Sequence, residues 1–343
     1  MHGEHREETN CRNLFLVFAL GLFSFIWLCG PNVVWAQQKP YPSQTIKIVV
    51  PNAPGGSTDL AARIVADYLG KDLKVPVIIE NREGGSGLIG ATAVLKAKPD
   101  GYTMLAGGDT SLTAGILQSP NPPYDPFKDF SPICMLGSSV AAYGVYSSSP
   151  FNTLGDFVKA AKQSPGKLSC GVTNIGSSTH LHLELLKKYS GMDINVVPYK
   201  GVPDAIAALL GKHIDMLVLI YVGFLPYVKS GEAKILVVSD SVPNTTLQTL
   251  QEAGFPQPGF RATDAFLGFH VSSNTPKPIY EKLVLAFERI AKIPEFAVKL
   301  NNIGLIRKYK NPAELKEFMK EKWLVYSEGL EQLGLKKWQG KID

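Results

Sequence analysis

The chain has 343 residues, of which 45% are hydrophobic and 19% charged, so it is predicted to be globular and long enough for two domains. Its formal net charge is +5, but the Lys and Arg residues are spread along the chain instead of forming a basic stripe, so we expect no nucleic-acid partner. The sequence has no C-x-x-C, H-E-x-x-H, Walker A or G-x-S-x-G motif, which favours binding over catalysis and predicts no cofactor.

The N-terminal segment has the pattern of an export signal. An apolar run, LFLVFALGLFSFIWLC, covers Leu14 to Cys29, and the small residues Val34 and Ala36 follow it at the spacing of a signal-peptidase site. The run is short for a membrane span. We therefore interpret residues 1–36 as a signal peptide that is cleaved on export, in preference to a retained membrane anchor.

Two cysteines remain after such a cleavage. Cys134 and Cys170 both lie in strand-like runs. In an oxidising compartment they either pair as a disulfide or stay as buried free thiols, and the sequence leaves both alternatives open.

The first half of the exported chain alternates strand and helix. The strand-like runs TIKIVV, VPVIIE and YTMLAG are separated by a helix over Asp59–Leu69 and by a second helix in LIGATAVLKA. This βαβαβ order predicts a parallel sheet with helices on its faces. A proline-rich segment from Gln118 to Pro132 then ends the pattern.

A second α/β series follows, and the chain then returns to the first domain. Its strands are predicted in KLSCGV, INVVPY, DMLVLI and KILVVS, with helices between them, and AFLGFHVS crosses back. We predict an α/β fold of two domains, each a mainly parallel sheet flanked by helices, with a ligand cleft between them. The predicted bounds are 37–145 plus 264–343 for domain 1 and 146–263 for domain 2.

The last long helix carries a stripe of residues at helical spacing, which we interpret as core packing. The stripe consists of Leu315, Phe318, Met319, Lys322, Trp323 and Tyr326.

Three glycine-containing loops join a predicted strand to a predicted helix. They are PGGST (Pro54–Thr58), TNIGSSTHL (Thr173–Leu181) and PYKGVPD (Pro198–Asp204). Unpaired N–H groups and the dipole at a helix start attract an anion without any fixed cation. Each loop alone is equally consistent with a tight strand–helix turn, but three at strand ends favour a ligand site. Asp59 is expected to support the start of its helix electrostatically.

Two other motifs have competing interpretations. GSGLIG (Gly85–Gly90) matches the dinucleotide fingerprint, with Asp109 near the expected position of the ribose-binding acid, but the turn before the glycines is longer than that fingerprint requires. His180 and Glu184 share a helix face and are either half of a metal site or, as we favour, a helix-start histidine hydrogen-bonded near Ser178.

Several ordered segments of the chain resemble one family of receptors. They are YPSQTIKIVVPNAPGGSTDLAARIVADYL, VIIENREGGSGLIGA, KPDGYTM, YDPFKDFSPI, GSSTHLHLELL, VPYKGVPDAIAALLGKHIDM and LPYVKSGEAKILVVS. Together they resemble the Bug (TctC-type) substrate-binding proteins of tripartite tricarboxylate transporters, from about Tyr41 to Trp338. The resemblance implies a periplasmic, two-domain, monomeric receptor that binds a small organic carboxylate and delivers it to membrane permease subunits without catalysis.

The resemblance also implies which residues line the cleft. In the family a carboxylate is held between βα loops of both domains by backbone amides, hydroxyls and water. On this chain that implicates Ala53, Gly56, Ser57 and Thr58 on one wall, Asp109, Thr110 and Ser111 on a further loop, and Ser177, Ser178, Thr179, His180, Lys200 and Gly201 on the other wall.

Two departures from the family pattern bear on the ligand. Many members carry Phe-Asp shortly after Asp215-Met216, whereas this chain has Leu219 there, so an amino acid is disfavoured. Phe266 stands near a position where the family often has Trp. With Tyr221 and Phe224, these residues suggest an apolar pocket for an aromatic or dicarboxylic acid, although Leu219 is equally consistent with sheet core.

Two other functions are compatible with the same sequence. A receptor of this kind serves equally as the sensory component of a membrane kinase, because the partner surface cannot be read from the sequence. An exported hydrolase that acts on a carboxylate or an ester is the remaining alternative.

Overall fold

Two mixed sheets organise the chain. The structure is a computed structural model that describes residues 40–256 and 259–340, and the described residues from Tyr41 onward belong to one compact unit. The strands are β1 Ile46–Val50, β2 Val77–Asn81, β3 Thr103–Gly107, β4 Phe130–Ser138, β5 Ala141–Tyr146, β6 Ser169–Thr173, β7 Asn195–Tyr199, β8 Met216–Ile220, β9 Ala233–Val238, β10 Phe266–Ser272 and β11 Ile306–Lys310.

Helices cover the faces of both sheets. They are α1 Ser57–Leu73, α2 Leu88–Lys96, α3 Gly115–Leu117, α4 Leu154–Gln163, α5 Ser178–Ser190, α6 Val202–Leu210, α7 Tyr221–Lys229, α8 Gly259–Thr263, α9 Lys277–Ala291, α10 Pro294–Asn302 and α11 Pro312–Gln332. A 3-10 turn, Gly85–Gly87, precedes α2, and a π-helical turn, Thr110–Ala114, precedes α3.

The sheet order brings several strand ends to common edges. The first sheet runs β11-β4-β10-β3-β1-β2 and the second runs β7-β6-β8-β5-β9. Strands β1, β2 and β3 are parallel, so their carboxyl ends lie at one edge, and β10 begins there because it pairs antiparallel with β3. In the second sheet β6, β7 and β8 are likewise parallel. Helices α1 and α5 therefore start at strand ends, where α/β proteins place their ligands.

The chain passes between the two sheets at two short segments. Strand β4 ends at Ser138 in the first sheet and β5 begins at Ala141 in the second, so this passage precedes the boundary predicted at residues 145 and 146. The return passage lies at Asp264 and Ala265, between α8 and β10. Strand β5 is a short run of small and apolar residues, AAYGVY, which gave no separate strand signal after the proline-rich segment.

The predicted α/β class is confirmed, but the sheets are mixed instead of mainly parallel. Strands β4, β10 and β11 pair antiparallel in the first sheet, and β5 pairs antiparallel with both β8 and β9 in the second. Strands β4 and β10 are neighbours in the first sheet. The chain leaves this sheet along β4 and returns along β10 without a crossover helix on the sheet, so the two strands run in opposite directions.

Cys134 and Cys170 both belong to the sheet cores. Cys134 belongs to the apolar cluster between the first sheet and its helices, with Ile48 of β1 and Phe287 of α9, and Cys170 belongs to that of the second sheet, with Phe157 of α4. Both cysteines are free and fully buried, and burial raises the pKa of both thiols well above the ordinary value. Of the two alternatives that the sequence left open, the structure has the buried free thiols.

The predicted signal peptide, residues 1–36, lies outside the described residues. Over residues 40–256 and 259–340, no helix combines the length and the apolar character needed to cross a membrane.

Candidate functional site

A cavity of about 390 Å³, lined by polar and apolar atoms in similar amounts, lies where loops from both sheets meet. Its lining comes from the loop after β1, the turn before α2, the segment after β3, the loop between β6 and α5, the start of β10 and one residue of α11. We call it the cleft. Its lining residues are Asn52, Thr58, Ser86, Gly108, Asp109, Thr110, Ala114, Gly115, Gln118, Asn174, Ile175, Gly176, Ser177, Ser178, Ala265, Phe266 and Tyr326.

One wall begins at the start of α1. No described side chain caps this helix start, whose N-cap residue is Gly56. Asp59 is buried behind the loop, where it accepts hydrogen bonds from the Gly55 amide at 2.9 Å and from Asn81 at 2.9 Å. Burial raises the pKa of Asp59, but these bonds and one from Arg63 outweigh it, so the pKa lies below the ordinary value. Asp59 therefore holds the loop through hydrogen bonds, whereas the sequence predicted electrostatic support of the helix start.

The opposite wall is the loop from β6 to α5. Ser177 caps α5 by accepting a hydrogen bond from the His180 amide at 3.3 Å, and the His180 ring accepts one from the Gly176 amide at 2.9 Å. Thr179 bonds to Thr173 at 3.0 Å beneath the loop. Thr179 and His180 are buried, so they shape the loop, while the residues before them line the cleft.

The third wall follows β3 and holds a buried ion pair. Lys322 of α11 is 0% exposed, and its Nζ lies 2.9 Å from Oδ1 of Asp109, which is 9% exposed. The same Nζ donates to the Asp264 carbonyl at 2.7 Å. The Tyr326 hydroxyl lies 3.1 Å from Oδ2 of Asp109. Burial raises the pKa of Asp109 and lowers that of Lys322, so each group depends on the other for its charge.

Six of the fifteen predicted site residues line the cleft, namely Thr58, Asp109, Thr110, Ser177, Ser178 and Phe266. The structure places the other nine elsewhere. Ala53 and Gly56 lie in the β1–α1 loop, Ser57 is the first residue of α1, Thr179 and His180 lie under the opposite wall, Ser111 is buried in the π-helical turn, and Lys200 and Gly201 lie after β7. Leu219 is 1% exposed in the core of the second sheet.

The sequence did not indicate Tyr326 or Lys322 as parts of this site. Both belong to the α11 stripe that was interpreted as core, and Tyr326 lines the cleft while Lys322 lies behind it. A lysine within a buried helical stripe is itself a signal, since a fully buried lysine needs an acidic partner.

The glycines of GSGLIG have a packing role in this structure. A side chain on Gly87 would approach Ser111 within 3.1 Å, and one on Gly90 would approach the Arg82 carbonyl within 2.7 Å. These glycines let the turn before α2 pack closely against the π-helical turn and the end of β1. That packing accounts for the motif without a dinucleotide.

The His180–Glu184 pair is not part of a metal-binding cluster among the described residues. The two side chains are 3.7 Å apart, and no group of three His, Cys, Asp or Glu residues meets around them. His180 is a helix-start residue that organises its loop, which is the alternative that the sequence favoured.

A larger cavity of about 630 Å³ lies beside β11 and the end of β9, lined by residues such as Ser239, Lys308 and Phe318. The smaller cleft is the candidate site because βα loops of both sheets and two helix starts converge there. A cleft lined by βα loops from two α/β sheets is typical of solute-binding proteins.

The family follows from comparison with known proteins. The model of the TctC family, described as the tripartite tricarboxylate transporter family receptor, matches residues 61–335. The chain belongs to this family, whose members are periplasmic solute-binding receptors.

Individual relatives agree with this assignment. Protein BugT of Bordetella pertussis (strain Tohama I) is 32% identical over 243 residues, which cover 70% of this chain and 74% of that protein. The solved structure of R. palustris Rpa4515 with adipate has 28% identity and a TM-score of 0.71, covering 86% of this chain and 98% of that one. MatC from Rhodopseudomonas palustris with bound malate has 28% identity and a TM-score of 0.64, covering 84% and 100%.

Proposed function

We propose that the protein is a periplasmic receptor that binds a small dicarboxylic acid in the cleft and delivers it, unchanged, to the membrane subunits of a tripartite tricarboxylate-type transporter. The main observation in support of this proposal is that the starts of α1 and α5 converge on one cavity. Related receptors of known structure hold adipate and malate, which are both dicarboxylates.

The charge of the cleft supports an anionic ligand. Among the described lining residues, only Asp109 carries a formal charge, and Lys322 compensates it. Backbone amides at helix starts and hydroxyls such as those of Thr58 and Ser178 then remain to bind a carboxylate. Neutral dipoles bind an anion without burying an additional fixed cation, which suits a receptor that must release its ligand.

The identity of the lining side chains supports a dicarboxylic acid over an aromatic acid. The apolar interpretation of the pocket depended on Leu219, Tyr221, Phe224 and Phe266, and only Phe266 is a lining residue. The cavity volume of about 390 Å³ lies within the range of roughly 300–1,000 Å³ usual for small-molecule sites.

Thr58→Glu tests this proposal directly. The new carboxylate stands at the start of α1 inside the cleft, so it occupies the anion position and repels the ligand. We expect titration calorimetry to show at least about a hundredfold weaker binding of the preferred dicarboxylate, or about 2.7 kcal/mol.

The matched control is Thr246→Glu, which adds the same charge at an exposed loop position. It should leave the dissociation constant unchanged. Equal affinities for wild type and Thr58→Glu would remove the start of α1 from the binding site.

A further inference from the structure

The larger cavity, of about 630 Å³, lies on the opposite side of the two passages from the cleft. We call it the rear cavity. Strands β4 and β10, which lead into the passages, are neighbours in the first sheet. The cleft receives loops from β3 and β1 on one side of them, and the rear cavity is bordered by β4 itself and by β11 on the other side. Its lining includes Met135, Ser138, Lys308 and Lys310 from the first sheet and Ser239 and Asp240 after β9.

The second sheet repeats this arrangement. Strand β5, where the first passage arrives, lies between β8 and β9 and is antiparallel to both, so β9 runs in the same direction as β8 and β6. The segments that follow β6 and β9 therefore leave the same edge, on opposite sides of β5. The segment after β6 lines the cleft, and the segment after β9 lines the rear cavity.

The return passage forms a thin wall between the two cavities. Asp264 lines the rear cavity, and the next residue, Ala265, lines the cleft. Phe266 of the cleft contacts Phe318 of the rear cavity, with ring centroids 5.6 Å apart. If one sheet rocks against the other about the passages, the cleft narrows as the rear cavity widens.

An ion pair spans the rear cavity. Lys308 of β11 contacts the carboxylate of Asp240, just beyond the end of β9, so the pair joins the first sheet to the second. The two side chains are 30% and 10% exposed, so solvent screens their attraction only in part. Rocking that narrows the cleft draws these two residues apart. The pair therefore opposes narrowing of the cleft.

We propose that Lys308 and Asp240 are positioning residues that hold the rear cavity narrow and thereby lower the affinity of the cleft for its ligand. The inference rests on the proposed function, because it assumes that a dicarboxylate binds in the cleft and draws its walls together. A ligand shifts such an equilibrium only by its differential affinity for the two arrangements. Part of that binding free energy is used to separate the pair, which favours reopening of the cleft and release of the ligand.

Lys308→Met tests the inference at a distance from the ligand. The variant removes the cation, while Asp240 keeps the hydrogen bond from the Ser241 amide at 2.8 Å. Calorimetry with the dicarboxylates from malonate to adipate should show about two- to fivefold tighter binding than in wild type. Lys308→Arg keeps the charge and should keep the wild-type affinity. Unchanged or weaker binding in Lys308→Met overturns the inference.

The matched control is Arg289→Met, which removes an ion pair that does not join the two sheets. Arg289 of α9 pairs with Asp72 of α1 at 2.6 Å, and both helices pack on the first sheet. We expect this variant to keep the wild-type dissociation constant. An equal gain in affinity there would show that the effect does not depend on the rear cavity, and it would contradict the inference.

Spin labels measure the rocking directly. Gln251→Cys/Lys310→Cys places one label on each side of the rear cavity, and Cys134 and Cys170 are fully buried, so they are protected from labelling. In dipolar EPR the distance between the labels should lengthen when the tightest-binding dicarboxylate saturates the protein. An unchanged or shorter distance overturns the inference while the proposed function stands. If no dicarboxylate binds to wild type, the proposed function fails and this inference fails with it.

Discussion

Individual residues at the cleft divide into those that line it and those that hold the lining in place. Thr58 and Ser178 stand at helix starts within the lining, while Asp59 and His180 are buried behind the two loops and bond to loop amides. Substitution of the first group should change affinity for the ligand directly. Substitution of the second should act through the shape of the loops.

The buried residue His270 leads to a prediction of how the stability of the protein depends on pH. His270 in β10 is fully buried, and desolvation lowers its pKa from 6.5 to about 3. Below pH 6.5 the unfolded chain binds a proton that the folded chain does not, so stability falls as the pH falls and levels off below about 3. From this group alone, the loss at pH 5 is on the order of 2 kcal/mol.

His270→Phe should remove that loss. The ring packs near Phe130, with ring centroids 6.4 Å apart, so an apolar ring suits the site. We expect urea unfolding at pH 7 and pH 5 to show a smaller difference in the free energy of unfolding for the variant than for wild type. His213→Asn, at an exposed histidine, should keep the wild-type difference. An unchanged difference in His270→Phe would show that His270 titrates normally.

At the scale of elements, α11 connects the core to the cleft. Asn311 and Glu314 form a capping box at its start, and Pro312 occupies the first turn. One face packs Leu315, Met319 and Trp323 into the core and brings Lys322 and Tyr326 to Asp109. This single helix therefore fixes the position of Asp109 in the third wall of the cleft.

The ion pair on α11 should show strong energetic coupling. Lys322→Met leaves Asp109 buried without its cation, and we expect it to lower the free energy of unfolding by about 3–5 kcal/mol. Asp109→Ala/Lys322→Met should cost clearly less, because both charges are gone. Chemical denaturation of the wild type, both single variants and the double variant measures the coupling. Additive single effects would contradict the pairing.

The sequence predicted regular elements well where apolar spacing and turn residues agree. The strands ending at Val50 and Gly107 and the helices after Gly56 and Ser177 appear at the predicted places. Strand β11, with the polar sequence IRKYK, was missed because strand pairing with β4 overrides a weak local signal. The Asp109–Lys322 pair spans more than 200 residues of chain, so no local pattern indicated that the two side chains meet.

At the scale of the whole molecule, one buried hydrogen-bond network holds together the two segments in which the chain passes between the sheets. Asp264 on the return passage lies 3.0 Å from the His182 ring and accepts from Ser239 at 2.6 Å and from the Ala141 amide at 3.3 Å. Its carbonyl also accepts from Lys322. The network thus joins β5, α5 and the end of β9 to α11, and it adjoins the cleft at Ala265.

The central claim is that a small carboxylate binds in the cleft, and a thermal-shift screen of the purified, ligand-free protein tests it most directly. The screen includes mono-, di- and tricarboxylates, aromatic acids, amino acids and uncharged diamides. A ligand at 100 times its dissociation constant adds about 2.7 kcal/mol of stability, which raises the melting temperature by several degrees. We predict a saturable shift confined to dicarboxylates and absent in Thr58→Glu. If no acid shifts wild type, or if Thr58→Glu responds equally, the account is contradicted.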